Sequence, residues 1–450
     1  MVRLLRNAFP LIAILTATIM FAGPAGPAYG QFFGNSRSVG GVSINADGLL
    51  SAPTLLQQQE LVKIRATAVR QTPEDLQPFT ELRAVSLRQL EAEIATHHNR
   101  GTPLAEKVAF LAGLQRIKYL LVYPERHDIV IAGPAEGWRV DSLGNVVGQT
   151  TGRPVLLLDD LMVALRTRQS SRLEPISCSI DPTAQGLKQL RQVASHLRTI
   201  GNPQTTARRL EQAVGTQVVT VTGVPATSHF ARIMVAADFR MKRLAMNMQP
   251  APIDGMPSYL QLMTAGSRGM HSTTPRWWLA PKYDPLATDA DRLAWQLRGP
   301  GVQCMTEADF VNSQGQINHT GHTGKVAAQW ARNMTDRFED LANHDSTFGQ
   351  LRNIMDLAVL AALVEKEGLL ERTALELPLL LGQAPLVHYP APRQVATTAS
   401  LLKKGRNWVI SASGGVQIMP WHVADQTEQV DSLNAVRKQL PTGFDGKWWE

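Results

Sequence analysis

Between residues 154 and 248, short apolar runs alternate with stretches of helical period, and this order restricts the fold more than any other feature. Residues 154–158 and 176–180 read as short buried strands, the second stopped by Asp181-Pro182. Asp159 is placed to cap a helix running through Arg168. Helices are expected at about 184–199 and 205–214, ended by Gly201 and Gly215, and the β-branched run 217–222 reads as another strand. A strongly amphipathic helix follows, with Phe230, Ile233, Met234, Ala237, Met241, Leu244, Ala245 and Met248 on one stripe. A strand, two helices, a strand and a helix in that order predict an α/β or mixed α+β layer.

The flanking sequence supports the same class. Residues 39–44 and 49–50 read as strand, turn and strand, and 128–132 as a buried strand. Helices are expected at 55–69, at 85–95 on Val85, Leu87, Leu90 and Ile94, and after Pro103 on Val108, Leu111, Leu114, Ile117 and Leu120-Leu121. Residues 275–280, 293–298 and 302–305 read as strands. Residues 326–341 and 348–367 form an expected antiparallel helical pair, and 399–402 with 408–410 an expected C-terminal β-hairpin, which Ser413-Gly-Gly415 extends with a bulge. The predicted fold is therefore α+β, with mixed sheet layers packed by amphipathic helices. It divides into a 1–30 leader, a mixed core over 36–325, the helical pair over 326–372, and the hairpin and tail over 373–450. No long polar linker separates these pieces, which is compatible with one integrated unit. Of the 450 residues, 44% are apolar and 18% charged, which excludes a disordered chain, a collagen and a coiled coil.

The first thirty residues read as a signal peptide. Arg3 and Arg6 open a cationic start, residues 8–23 are mostly apolar, and Ala28-Tyr29-Gly30 offers a small-residue cleavage site. The apolar run is short for a bilayer span, so cleavage is favoured over an uncleaved anchor, with no transmembrane span left afterwards. With no cysteine near that site, a lipoprotein anchor is not expected. The expected location is exported: periplasmic, cell-envelope or secreted. Without this segment, 43 basic residues face 38 acidic ones, a net +5. Twelve of the basic residues lie between Arg166 and Arg243, accompanied only by Glu174, Asp181, Glu211 and Asp238. Such a segment suits an anionic glycan, a cell-wall polymer or an anionic membrane face, and otherwise reads as solvated helix faces. No nucleic-acid motif is present and none is expected as a partner.

Several runs carry a family resemblance. Residues 128–138 (Asp-Ile-Val-Ile-Ala-Gly-Pro-Ala-Glu-Gly-Trp), 237–243 (Ala-Asp-Phe-Arg-Met-Lys-Arg), Arg276-Trp-Trp278, 301–309 and Ser413-Gly-Gly-Val416 together resemble an exported domain of unknown function of planctomycete-type bacteria. The resemblance spans about residues 40–421. It implies export and one family-wide domain, and it brings no activity, substrate or catalytic residue.

The chemical candidates divide into motifs that fail and residues that stand. Ser400-Leu-Leu-Lys403 has the spacing of a serine–lysine pair but sits in an expected strand, without companion motifs. His319 and His322 lack further ligands for a zinc shell and read as a polar turn. Gly324-Lys325 lacks both the upstream glycine and the Ser/Thr of a phosphate loop, and Gly144, Gly148 and Gly152 lack the spacing of a dinucleotide fingerprint. Glu136 beside Trp138, in a loop leaving a strand, is how a carboxylate and a stacking surface meet a sugar, and with Asp181 it supplies a candidate acid pair. The competing reading is a loop-anchoring carboxylate and a core indole. Asp238 and Lys242 are expected as an exposed i,i+4 ion pair or, with Arg240 and Arg243, as an anion site. Trp277 and Trp278 must point to opposite faces of their strand. Cys178 and Cys304 either pair as a disulfide or stay as buried thiols. No metal and no cofactor is expected. The leading expectation is a non-catalytic exported protein binding or organising an anionic or envelope partner. The alternative is a carbohydrate-active or other hydrolase using Glu136 and Asp181.

Overall fold

The stripe at 230–248 forms helix His229–Ala245, begun by Ser228, whose Oγ accepts the Ala231 amide at 3.1 Å. The computed structural model describes residues 38–39, 42–69, 72–196, 202–266, 274–311, 317–322, 324–398, 413–439 and 447–450. Within it this helix packs against strands Ile176–Pro182 and Ser413–Ile418 and helices Leu158–Thr167 and Ser346–Lys366. Ser346–Lys366 has the length and hydropathy of a membrane span, but its whole apolar window is buried inside the protein. The fold is α+β with mixed sheets.

The larger sheet has ten strands, in the order Ser38–Val39, Val42–Ile44, Leu49–Ser51, Gln394–Ala396, Thr216–Thr222, Ile176–Pro182, Ser413–Ile418, Thr274–Lys282, Gly301–Val311 and Ile317–His322. Two of its pairings are parallel, Gln394–Ala396 with Leu49–Ser51 and Thr274–Lys282 with Ser413–Ile418. Ile176–Pro182 and Ser413–Ile418 are interior strands, hydrogen-bonded on both sides. The Gly-Gly pair explains how they approach. Gly414 has φ +128°, and a Cβ at Gly415 would lie 1.8 Å from the Cys178 carbonyl oxygen. The second sheet orders Thr427–Gln429, Leu286–Thr288, Ala294–Gln296, Tyr119–Tyr123, Asp128–Ala135 and Thr80–Ser86. The main apolar core runs from Val42 to Trp449, joining segments from all the expected divisions of the chain after the leader, and a smaller second cluster gathers Leu121, Val130, Ala294 and Leu433 on the second sheet. The expected hairpin at 399–410 and the leader at 1–30 lie outside the described residues.

Five local expectations change. Val85 belongs to strand Thr80–Ser86, and the helix starts at Leu87 with Ser86 as its cap. The helix expected after Pro103 stops after one turn, Glu106–Ala109, because Leu111 and Ala112 take φ of 45° and 53° and Gly113 packs on the Glu136 carbonyl. Residues beyond it become strand Tyr119–Tyr123. Residues 154–158 form only a bridge, Val147 to Pro154, and helix Leu158–Thr167 places Asp159 inside its first turn. Residues 326–341 form two helices, Lys325–Asp336 and Phe338–His344, joined at Arg337, and the second packs on Ser346–Lys366. His319 and His322 lie in a strand, Ile317–His322, where a polar turn was expected.

Candidate functional site

Helix His229–Ala245 carries charge into the core twice. Near its start His229, 4% exposed, donates through Nδ1 to Asp160, 2.9 Å from Oδ2 and 3.1 Å from Oδ1. The His229 ring lies 6.0 Å from that of Tyr389, and the Arg232 guanidinium sits 5.0 Å over the tyrosine. His229, Tyr389, Arg65, Asn145 and Gln350 line a cavity of about 20 Å³, room for one water with several polar partners. Burial, with the neighbouring Asp160 carboxylate, pushes Asp159 up to about 6, against the opposing pull of His229 and the Val387 amide. Burial brings Arg232 down to about 10 and drives the Tyr389 hydroxyl far above its ordinary value. The aspartate fixes the orientation of the imidazole, the arrangement that suits proton transfer. The neighbouring Ser228 is not poised there as a nucleophile: its hydroxyl donates to the Pro225 carbonyl and caps the helix.

Two turns on, Asp238 is fully buried and Lys242 nearly so. Lys242 Nζ donates to Asp238 Oδ2 at 2.9 Å, to the Ile180 carbonyl at 2.8 Å and to the Gly414 carbonyl at 3.2 Å. All three ammonium protons are thereby used, and the helix is tied to the two interior strands. Desolvation pushes Asp238 up to about 7, although Lys242 favours the charged form. The expected exposed pair is a buried one. The expected anion site does not assemble either: Arg240 bonds Asp345 at 2.8 Å, and the half-buried Arg243 guanidinium lies 5.4 Å from the centre of the Phe239 ring.

Glu136 is fully buried and accepts from Gln115 Nε2 at 2.7 Å, the Thr150 and Thr151 amides at 2.9 Å each, and the Thr151 hydroxyl. Burial opposes its charge, but these donors outweigh it and hold the carboxyl below its ordinary value. It anchors the 148–152 turn. Trp138 is a core residue, 5.4 Å edge-on from Phe110, with its indole donating to Glu106. Asp181 belongs to the other sheet, paired with Val218. The tandem tryptophans split as expected: Trp277 is buried 4.7 Å from the Trp330 ring and Trp278 is half-buried.

Cys178 and Cys304 are free buried thiols. Their strands are three positions apart in the sheet, about 14 Å at the usual spacing of neighbouring strands, too far for a disulfide. Burial pushes both thiols up. Among the described residues no cluster of three potential metal ligands occurs.

The basic segment is sorted by the fold. Arg166 donates to the Leu379, Leu380 and Ala384 carbonyls, Arg168 pairs with Glu365, and Arg232, Arg240 and Lys242 are engaged in the interior or in ion pairs. Lys188, Arg208 and Arg209 are exposed and Arg191 half-buried on two packed helices, Ala184–His196 and Pro203–Val214, which join adjacent strands of the large sheet.

Four of the five runs singled out in the sequence converge here, and the fifth, residues 128–138, belongs to the second sheet and the segment that follows it. Residues 237–243 lie on the helix, Arg276-Trp-Trp278 and Ser413-Gly-Gly-Val416 pair as parallel strands, and 301–309 pair alongside them. Comparison with curated proteins and with solved structures finds no match. Residues 178–259, running from the Cys178 strand through both helices of the hairpin and the whole of the central helix, match a protein family of unknown function, DUF1598.

Proposed function

We propose that the chain is an exported, non-catalytic protein that holds an anionic glycan of the cell envelope on the hairpin formed by Ala184–His196 and Pro203–Val214. The observation that carries this reading is the sorting of the basic residues. Arg166, Arg168, Arg232, Arg240 and Lys242 are tied to carbonyls, carboxylates or the core, Arg172 lies over Trp421 and Arg243 by Phe239, whereas Lys188, Arg191, Arg208 and Arg209 share one helical pair. Glu211 is the single acid on those two helices. A local excess of this kind attracts a polyanion in a salt-dependent way. The hydrolase alternative gains no support from Glu136, whose carboxylate is filled by loop donors.

The test uses the chain from Gln31 onward on an immobilised acidic polysaccharide, with a Lys188→Gln, Arg191→Gln, Arg208→Gln, Arg209→Gln variant beside it. Wild type is expected to be retained at low salt and released as salt rises, and the variant to pass through. Equal behaviour of the two, or no retention of wild type, overturns the reading.

A further inference from the structure

We propose that the groove between residues 171–175, the end of helix Ser346–Lys366 and residues 419–425 is a second binding site, for an uncharged saccharide. The groove has a volume of about 630 Å³, within the range of ligand sites. Its aromatic element is Trp421, held by an Nε1 hydrogen bond to the Arg168 carbonyl at 2.9 Å, with the Arg172 guanidinium 5.1 Å from the ring centre. Leu173, 87% exposed, and Met419, 46% exposed, add apolar surface at the rim. Two exposed apolar side chains beside a half-buried indole ask for a ligand with an apolar face.

The charges decide which ligand. Arg168 pairs with Glu365 at 2.7 Å and Lys366 with Asp425 at 2.9 Å, so these four neutralise one another in the wall. Arg172 over the Trp421 ring, the exposed Glu174, and His422, whose Nε2 lies 3.3 Å from Gln426 Nε2, line the groove, one cation against one anion beside an imidazole. A polyanion gains little from such a balance. A neutral sugar ring gains from all of it: its C–H face packs on the indole and the apolar rim, and its hydroxyls bond to the guanidinium fork, the carboxylate and the imidazole. An extended peptide would need unpaired main-chain groups. The strands that end at this groove, Ile176–Pro182 and Ser413–Ile418, are paired on both sides and offer no edge.

This site is independent of the basic hairpin. Residues 171–175 precede strand Ile176–Pro182 and the hairpin follows it, so the two can fail separately.

The experiment titrates the chain from Gln31 onward with neutral β-linked glucose and N-acetylglucosamine oligosaccharides, followed by calorimetry and tryptophan fluorescence. Wild type is expected to bind at least one series saturably. The Arg172→Gln, Glu174→Gln double variant, altered only at exposed positions, is expected to weaken binding at least tenfold with an unchanged melting temperature, and Trp421→Ala is expected to weaken binding as much. The hairpin variant described above is expected to bind the sugar as wild type does. No response to either series, or undiminished binding in the double variant, overturns the proposal. So does competition for the groove by an unstructured peptide with higher affinity than the sugars.

Discussion

Replacing Lys242 by Met tests what the buried pair does. The substitution keeps the length of the side chain and removes one charge, leaving Asp238 in the core with its closest cation gone and the Ile180 and Gly414 carbonyls without that donor. Breaking one side of a buried pair costs roughly 3–5 kcal/mol, mostly the penalty on the stranded charge. Asp238 carries a penalty of its own before any substitution. Its shift from 3.8 to about 7 corresponds to about 4 kcal/mol against the ionised form, even with Lys242 present. The folded-state value lies above the unfolded one, so the stabilising contribution of the neutral carboxyl is complete below pH 3.8 and disappears as pH rises through about 7. Asp159, raised to about 6, adds to the same trend at lower pH. The Lys242→Met loss is therefore expected to be near its full size at pH 8 and much smaller at pH 5, where Asp238 takes up its proton. An Asp238→Leu, Lys242→Met double replacement removes both charges and is expected to lie within about 1 kcal/mol of wild type or above it at pH 8. Urea midpoints at the two pH values provide the measurement. A single-variant loss that does not change with pH, or a double variant as unstable as the single one, refutes the argument.

Glu136→Gln replaces an all-acceptor group with one that presents an NH₂ to donors in the 148–152 turn, and a loss of roughly 2–4 kcal/mol is expected in thermal unfolding. Because the folded-state value of Glu136 is depressed, its contribution is present above the unfolded value and is lost in acid, so the variant is expected to be less sensitive than wild type below pH 4. The two thiols are expected to resist alkylation in the folded protein and to react fully in denaturant without a reductant, as mass spectrometry will show; a 2 Da deficit from the reduced mass would mean a disulfide. Gly415→Ala forces a Cβ into the Cys178 carbonyl and is expected to abolish soluble expression, whereas Gly255→Ala, with open space around it but a positive φ, is expected to cost only about 1 kcal/mol.

The parts of this molecule that were legible from sequence share one property: their burial is set by local period alone. The helix from His229 follows its stripe, Trp277 and Trp278 alternate across a strand, and Cys178 sits in the short strand its neighbours indicated. Where a residue far away in sequence decides, the local reading fails. The helix expected after Pro103 yields because Gly113 must lie against the Glu136 backbone, and Val85 pairs in a strand although its spacing suits a helix. Charges were misplaced for a related reason. Asp238 lies four residues after Met234 and Lys242 four after Asp238, so both share a face with apolar positions, and a charge on such a face is a buried charge. That signal was present in the sequence. The polar centre had none of its own, since Asp160, His229 and Tyr389 come from separate segments that no spacing rule connects. The groove brings residues 171–175 to 365–366 and 419–425 in the same way. Period thus tells which side chains leave water, and topology alone tells which of them meet; in this fold the meeting places are where any ligand chemistry has to be sought.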